Sequence, residues 1–101
     1  MHMFEETARQ WIREMFQEGK LQGNDQEFLR QLTKDYARRL EEIFTHEVKN
    51  ILEKKGNVEE FERMLLYDSQ YINKYLNQTI PGYHGFQKNI FAKAKKEILG
   101  V

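Results

Sequence analysis

The chain has 101 residues, enough for one domain with its own hydrophobic core, and its sixteen basic and sixteen acidic residues cancel. A zero net charge provides no overall field to attract nucleic acid or a membrane surface, and the absence of cysteine excludes disulfides and thiolate metal sites. No apolar run approaches the ~20 residues of a membrane span, so we expect a single domain over residues 1–101, no membrane partner and, by default, a cytoplasmic location.

The first predicted helix runs from Phe4 to Glu18. Its apolar side chains recur at the three- and four-residue spacing of a core-facing stripe, at Phe4, Ala8, Trp11, Ile12, Met15 and Phe16. Gly19 ends this helix, and the short linker after it favours an antiparallel hairpin with the next helix. Residues 1–3 precede the pattern, and we expect them either to be left by a cloning site or to be disordered.

The second predicted helix is the longest and extends from Asn24 to Gly56. Asn24 with Glu27 fits a capping box, and glycine is the usual residue at a helix C-terminus. About 30 residues at ~1.5 Å each span roughly 45 Å, which exceeds the width of a domain of this size. The apolar residues follow an eleven-residue spacing, as from Leu29 to Leu40, so the stripe drifts around the helix. We therefore expect its two halves to face different neighbours.

Two shorter helices are predicted next. The third begins at Val58 behind an N-cap at Asn57 and continues to about Tyr67. Asp68 and Ser69 then interrupt the apolar pattern and offer a new N-cap for a short fourth helix. An uninterrupted helix that merges the third and the fourth is the alternative.

The last helix is predicted from about Gly82 to Leu99. Pro81 separates it from the fourth helix, because the residue before a proline is displaced from the α region. The predicted fold class is therefore all-α with about five helices. A hairpin of the first helix on one long central helix is followed by three shorter C-terminal helices, and together they pack as a bundle. A four-helix bundle results if the third and fourth helices merge.

The C-terminal third of the chain resembles a known family. The run LLYDSQYINKYLNQTIPGYHGFQKNIFAKAKKEIL contains an acidic break at Asp68, a short amphipathic helix ending in Leu76, a turn at Pro81 with Tyr83, and a final helix with four lysines and one glutamate. In these features it resembles the C-terminal part of a family of small helical bacterial domains of unknown function, many from candidate phyla. The resemblance implies a helical fold and no particular activity.

No pattern in the sequence indicates catalysis or metal binding. His2, His46 and His84 lack the spacing of three or four residues at which helical metal ligands occur. Ser69 is the only serine and fits a helix start, and no glycine-rich phosphate loop or nucleophile elbow is present. We therefore predict that the protein is not an enzyme, with no catalytic residue, no metal site and no cofactor.

Charge is distributed unevenly along the chain. The net charge is −2 for residues 57–79 and +3 for residues 80–101. Four lysines make the last helix a candidate basic patch, namely Lys88, Lys93, Lys95 and Lys96. Aligned lysines can bind phosphates, although lysines near a helix C-terminus are also favoured by the helix dipole. A nucleic-acid-binding accessory protein that uses this helix is therefore the alternative functional prediction.

Tyrosines around the fourth helix form the other candidate site. Tyr67, Tyr71 and Tyr75 lie four residues apart and share one helical face if the break at Asp68 is bridged. Tyrosine suits either the boundary of a core or a protein interface, since its body is apolar and its tip is polar. The candidate partner surface comprises Tyr67, Tyr71, Tyr75, Ile80 and Tyr83. The leading functional prediction is a non-catalytic protein-interaction or structural module, whose partner is an unidentified protein or a second copy of the chain.

Overall fold

The computed structural model describes residues 2–23, 25–56, 58–67 and 70–100, and these contain five helices and no strand. The helices are α1 (His2–Gln17), α2 (Gln26–Lys55), α3 (Val58–Leu66), α4 (Ile72–Thr79) and α5 (Tyr83–Leu99). The all-α prediction is confirmed, with one long helix second in the chain and three shorter helices after it. Because α3 and α4 are separate helices, the merged alternative is wrong.

The long helix α2 determines the length of the molecule. It contains 30 residues, and the longest dimension of the molecule is 47 Å. Its N-cap is Asp25, whose carboxylate accepts a hydrogen bond of 3.1 Å from the backbone N–H of Phe28. The predicted cap Asn24 lies outside the described residues. At the other end Gly56 adopts a left-handed φ of 76° and its N–H reaches the carbonyl of Glu53, as predicted for a glycine C-cap.

Both α1 and α5 pack against α2. The aromatic rings of Phe4 in α1 and Phe44 in α2 have centroids 5.3 Å apart, and Phe91 in α5 lies 6.0 Å from Phe44. These three rings pack edge to face or tilted, which are favourable arrangements for aromatic pairs. One aromatic cluster therefore joins three helices at the centre of the core.

The helices α3 and α4 return the chain from the end of α2 to the start of α5. Lys49 of α2 forms an ion pair of 3.4 Å with Glu62 of α3, so α3 folds back along the second half of α2. Phe61, Ile72 and Leu76 are fully buried and attach these two helices to the core. The second half of α2 thus has α3 as a neighbour in addition to α1 and α5.

The predicted helix starts differ from the observed ones at two places. Helix α1 begins at His2, and the sulfur of Met3 lies 3.5 Å from the amide nitrogen of Asn73 and 3.2 Å from that of Gln87. Met3 is therefore packed against the C-terminal helices and is not disordered, whereas Met1 lies outside the described residues. Helix α4 begins only at Ile72, and its N-cap residue Tyr71 makes no side-chain capping hydrogen bond in the part of the chain that the structure describes. The other predicted caps, Asn57, Asp68 and Ser69, lie outside the described residues.

Candidate functional site

The largest exposed apolar side chains of the C-terminal half lie where the chain passes from α3 to α4. Leu66 is 78% exposed, Tyr67 is 75% exposed and Tyr71 is 58% exposed. Helix α3 ends at Leu66, and the N–H of Tyr67 still bonds to the carbonyl of Arg63 at 3.2 Å. We call Leu66, Tyr67 and Tyr71 the α3–α4 corner. Tyr67 and Tyr71 are the two members of the predicted partner surface with the greatest exposure to solvent, and Leu66 is an addition from the structure.

The other members of the predicted partner surface belong to the core or its edge. Ile80 is 3% exposed and Tyr83 is 5% exposed, so their assignment to a partner surface is wrong. Tyr75 is half-buried and packs against the core. The physical reason is that Ile72, Leu76 and Ile80 are four residues apart and place one face of α4 on the core, and the chain continues inward to Tyr83.

Tyr83 is held in the core by a hydrogen bond. Its hydroxyl donates to the side-chain oxygen of Asn73 at 3.0 Å, which satisfies its polar tip. Burial raises the pKa of Tyr83 to about 12, since the ionised form would lose its hydration. Tyr83 therefore joins the start of α5 to α4 and is not available to a partner.

Leu66 was missed by sequence reasoning. The sequence places Leu65 and Leu66 side by side in an amphipathic helix, and adjacent residues point about 100° apart. Leu65 packs against the core, which leaves Leu66 on the outer side. The leucine doublet is the signal that could have revealed an exposed apolar position.

The candidate basic patch is divided by the tertiary structure. Lys93 donates to Glu47 of α2 at 3.2 Å, and Lys95 donates to Glu14 of α1 at 2.7 Å. Hydrogen bonds from Lys95 and from Gln10 lower the pKa of Glu14. Two of the four predicted lysines therefore attach α5 to the other two helices of the core.

Lys88 and Lys96 remain exposed, and no described carboxylate lies within ion-pair distance of either. They are eight residues apart and lie about 80° apart around α5, so they do not continue a single basic row. The last helix thus presents separate positive charges and not the continuous patch suggested by the sequence.

Metal-ligand clusters and membrane-spanning helices are absent from the described residues. No group of three or more His, Asp or Glu side chains is arranged to hold a metal ion in the ranges 2–23, 25–56, 58–67 and 70–100. None of the helices in these ranges combines the length and apolarity needed to cross a bilayer.

Comparison with known proteins did not identify a relative of this chain. No family model, curated protein or solved structure shows significant similarity to this chain. The resemblance of the C-terminal third to a bacterial helical family therefore stays a sequence-based prediction. What the structure defines is the class: an all-α protein with three core helices and two shorter connecting helices.

Proposed function

We propose that this protein is a non-catalytic interaction module whose binding surface is the α3–α4 corner. The observation that supports this proposal is the exposure of Leu66, Tyr67 and Tyr71 within six residues of one another. Exposed apolar side chains scattered singly on a protein surface are ordinary, whereas three within one short segment favour an interaction site. Tyrosine is enriched at interfaces because it buries a large area at a low cost in side-chain entropy.

The size of the corner favours a transient complex with another protein. Three side chains of this kind bury roughly 400 Å² when covered, about half of what each partner contributes to a stable interface of standard size. A second copy of the chain bound through this corner alone would form a weak dimer. We propose a different protein as the partner, and the charges beside the corner support this choice.

The charges near the corner indicate the chemistry of that partner. Glu59 lies two turns before Leu66 on the same face of α3, and Glu41 lies beside Leu65 in the groove between α2 and α3. Neither carboxylate has a basic side chain of the described residues within ion-pair distance. A complementary surface would be an apolar groove or an amphipathic segment with basic side chains at its rim.

Selection of peptides displayed on phage tests this proposal while the partner is still unidentified. Wild-type protein is the bait, and the enriched peptides are afterwards measured for binding to a Leu66→Ser/Tyr67→Ser variant. We expect enriched peptides that combine basic residues with apolar anchors and that lose at least about tenfold in affinity for the variant, a typical effect of truncating two interface anchors. A Phe28→Ser variant, altered at an exposed aromatic residue far from the corner, should bind as the wild type does.

Two results would contradict the proposal. Peptides that bind wild type and the Leu66→Ser/Tyr67→Ser variant equally would place the binding surface elsewhere. A tight homodimer in sedimentation velocity that dissociates in this variant would make a second copy of the chain the partner.

A further inference from the structure

The longest stretch of the chain without an acidic residue lies in its C-terminal third. Residues 69–96 contain no Asp or Glu but include five lysines and one histidine. Sixteen acidic residues distributed evenly over the chain would place about four in this stretch. The same stretch contains six Asn and Gln residues, so it is rich in hydrogen-bond donors and acceptors without negative charge.

The fold gathers part of this stretch into an open cleft between α4 and the first turns of α5. The cleft has a volume of about 640 Å³ and is lined by Asn73, Lys74, Asn77, Tyr83, His84 and Gln87. No carboxylate is among these lining side chains. Lys88 follows His84 by one helical turn on the same face of α5 and adds a second ammonium group near the cleft.

The polar groups of the cleft retain most of their capacity to bind a ligand. No described carboxylate lies within ion-pair distance of Lys74 or Lys88. Within the described ranges, the amide nitrogens of Asn73 and Gln87 donate only to the sulfur of Met3, and a thioether is a weak acceptor. An anionic oxygen would be a much stronger acceptor for the same N–H groups.

The cleft is also held in a defined geometry. The hydroxyl of Tyr83 donates to the side-chain oxygen of Asn73 at 3.0 Å, which orients the amide and fixes the position of its N–H donors. Tyr83 is itself buried, so the contact between α4 and α5 beneath the cleft is part of the core. A ligand would therefore meet donors that are already positioned.

We propose that the cleft between α4 and α5 binds the phosphate group of a ligand. Two ammonium groups and several amide N–H donors suit an anion with several oxygens, and no lining carboxylate repels it. The side-chain amides of Asn77 and Gln87 also line the cleft and can form hydrogen bonds with the polar part of the ligand to which the phosphate is attached. This site is separate from the α3–α4 corner and does not depend on the function proposed for that corner.

Titration of the whole chain with pyrophosphate, followed by backbone amide NMR shifts, tests the proposal. We expect saturable shifts concentrated at residues 73–77 and 84–88. A Lys74→Gln/Lys88→Gln variant should bind at least about fivefold more weakly, since charge-assisted hydrogen bonds to the anion are lost. A Lys96→Gln variant loses an exposed lysine of α5 that lies outside the cleft and has no ion pair among the described residues, and it should bind as the wild type does. Circular dichroism checks that all variants remain helical.

Two further probes distinguish the source of the phosphate. Saturable binding of glycerol 3-phosphate at the same residues would support a small phosphate ester. Binding of a short oligothymidine that weakens steeply with salt and is lost in the Lys74→Gln/Lys88→Gln variant would support nucleic acid as the source. The proposal is overturned by an absence of saturable shifts with all three probes, or by an equal loss of binding in the Lys96→Gln variant.

Discussion

Tyr83 of α5 donates a hydrogen bond of 3.0 Å to the side-chain oxygen of Asn73 in α4. The two helices are joined by residues 80–82 alone, and Gly82 in this turn adopts a left-handed φ of 68°. A short turn of this kind determines where α5 begins, and the hydrogen bond sets how α5 lies against α4. This contact satisfies the polar tip of the buried Tyr83 and joins the two helices that line the cleft.

The hydroxyl of Tyr83 should make the stability of the protein depend on pH in the alkaline range. Its pKa is about 12 in the folded chain, above the ordinary value of about 10. A raised pKa means that its contribution to folding is complete below about pH 10 and is lost as the pH rises toward 12. Urea unfolding between pH 8 and about 11.5 should therefore show a midpoint that falls above about pH 10.

A Tyr83→Phe variant is the control for this pH dependence. It should lose about 0.5 to 1.5 kcal/mol at neutral pH, since one hydrogen bond is removed. Above about pH 10 its stability should fall less steeply than that of the wild type. Tyr36, whose pKa is also raised by burial, should contribute to the slope that remains. Parallel curves for the two proteins would show that Tyr83 does not control the alkaline transition.

The aromatic cluster at the centre of the core should be the most sensitive part of the fold. Phe44 is fully buried and contacts rings from α1 and α5, so Phe44→Ala should destabilise the protein by about 3 to 5 kcal/mol. Phe28 lies on the same helix and is 50% exposed, and Phe28→Ala should change stability by no more than about 1 kcal/mol. Thermal unfolding followed by circular dichroism measures both. Equal losses for the two variants would contradict the assigned core.

The start of α2 depends on one carboxylate. Asp25→Ala removes the acceptor for the N–H of Phe28 and should cost about 0.5 to 2 kcal/mol. Asp25→Asn should retain most of the stability, because asparagine caps helices about as well as aspartate. Chemical denaturation of both variants, with Asn24→Ala for comparison, measures this. A larger loss of stability for Asn24→Ala than for Asp25→Ala would show that Asn24, the cap predicted from the sequence, caps α2.

The α3–α4 corner and the buried end of α4 should respond differently to a polar substitution. Leu66→Ser/Tyr67→Ser alters exposed side chains and should shift the melting temperature by no more than a few degrees, as expected for about 1 kcal/mol. Ile80→Ser places a hydroxyl in the core and leaves a cavity there, so it should cost about 2 to 5 kcal/mol. Unfolding of the Leu66→Ser/Tyr67→Ser variant would show that the corner is structural and remove the basis for the proposed interaction.

Helix periodicity and helix-ending residues determined the fold class from the sequence. The apolar stripe and Gly56 predicted α2 to within two residues at each end, and Pro81 with Gly82 placed the start of α5 within one residue. These features act within a few residues along the chain, because a helix depends on local hydrogen bonds and on its own amphipathic pattern. They therefore have the same effect whichever helix packs alongside.

The candidate sites depended on tertiary structure. In the sequence, a tyrosine that covers a core cannot be distinguished from one that faces a partner. The packing of α4 and α5 buries Tyr83 and leaves Tyr67 exposed. In the same way Lys93 and Lys95 are near neighbours in the sequence but lie at opposite edges of the buried stripe of α5, where one meets α2 and the other meets α1. Burial and ion pairing join residues that are distant along the chain, so periodicity alone does not determine which side chains remain available for function.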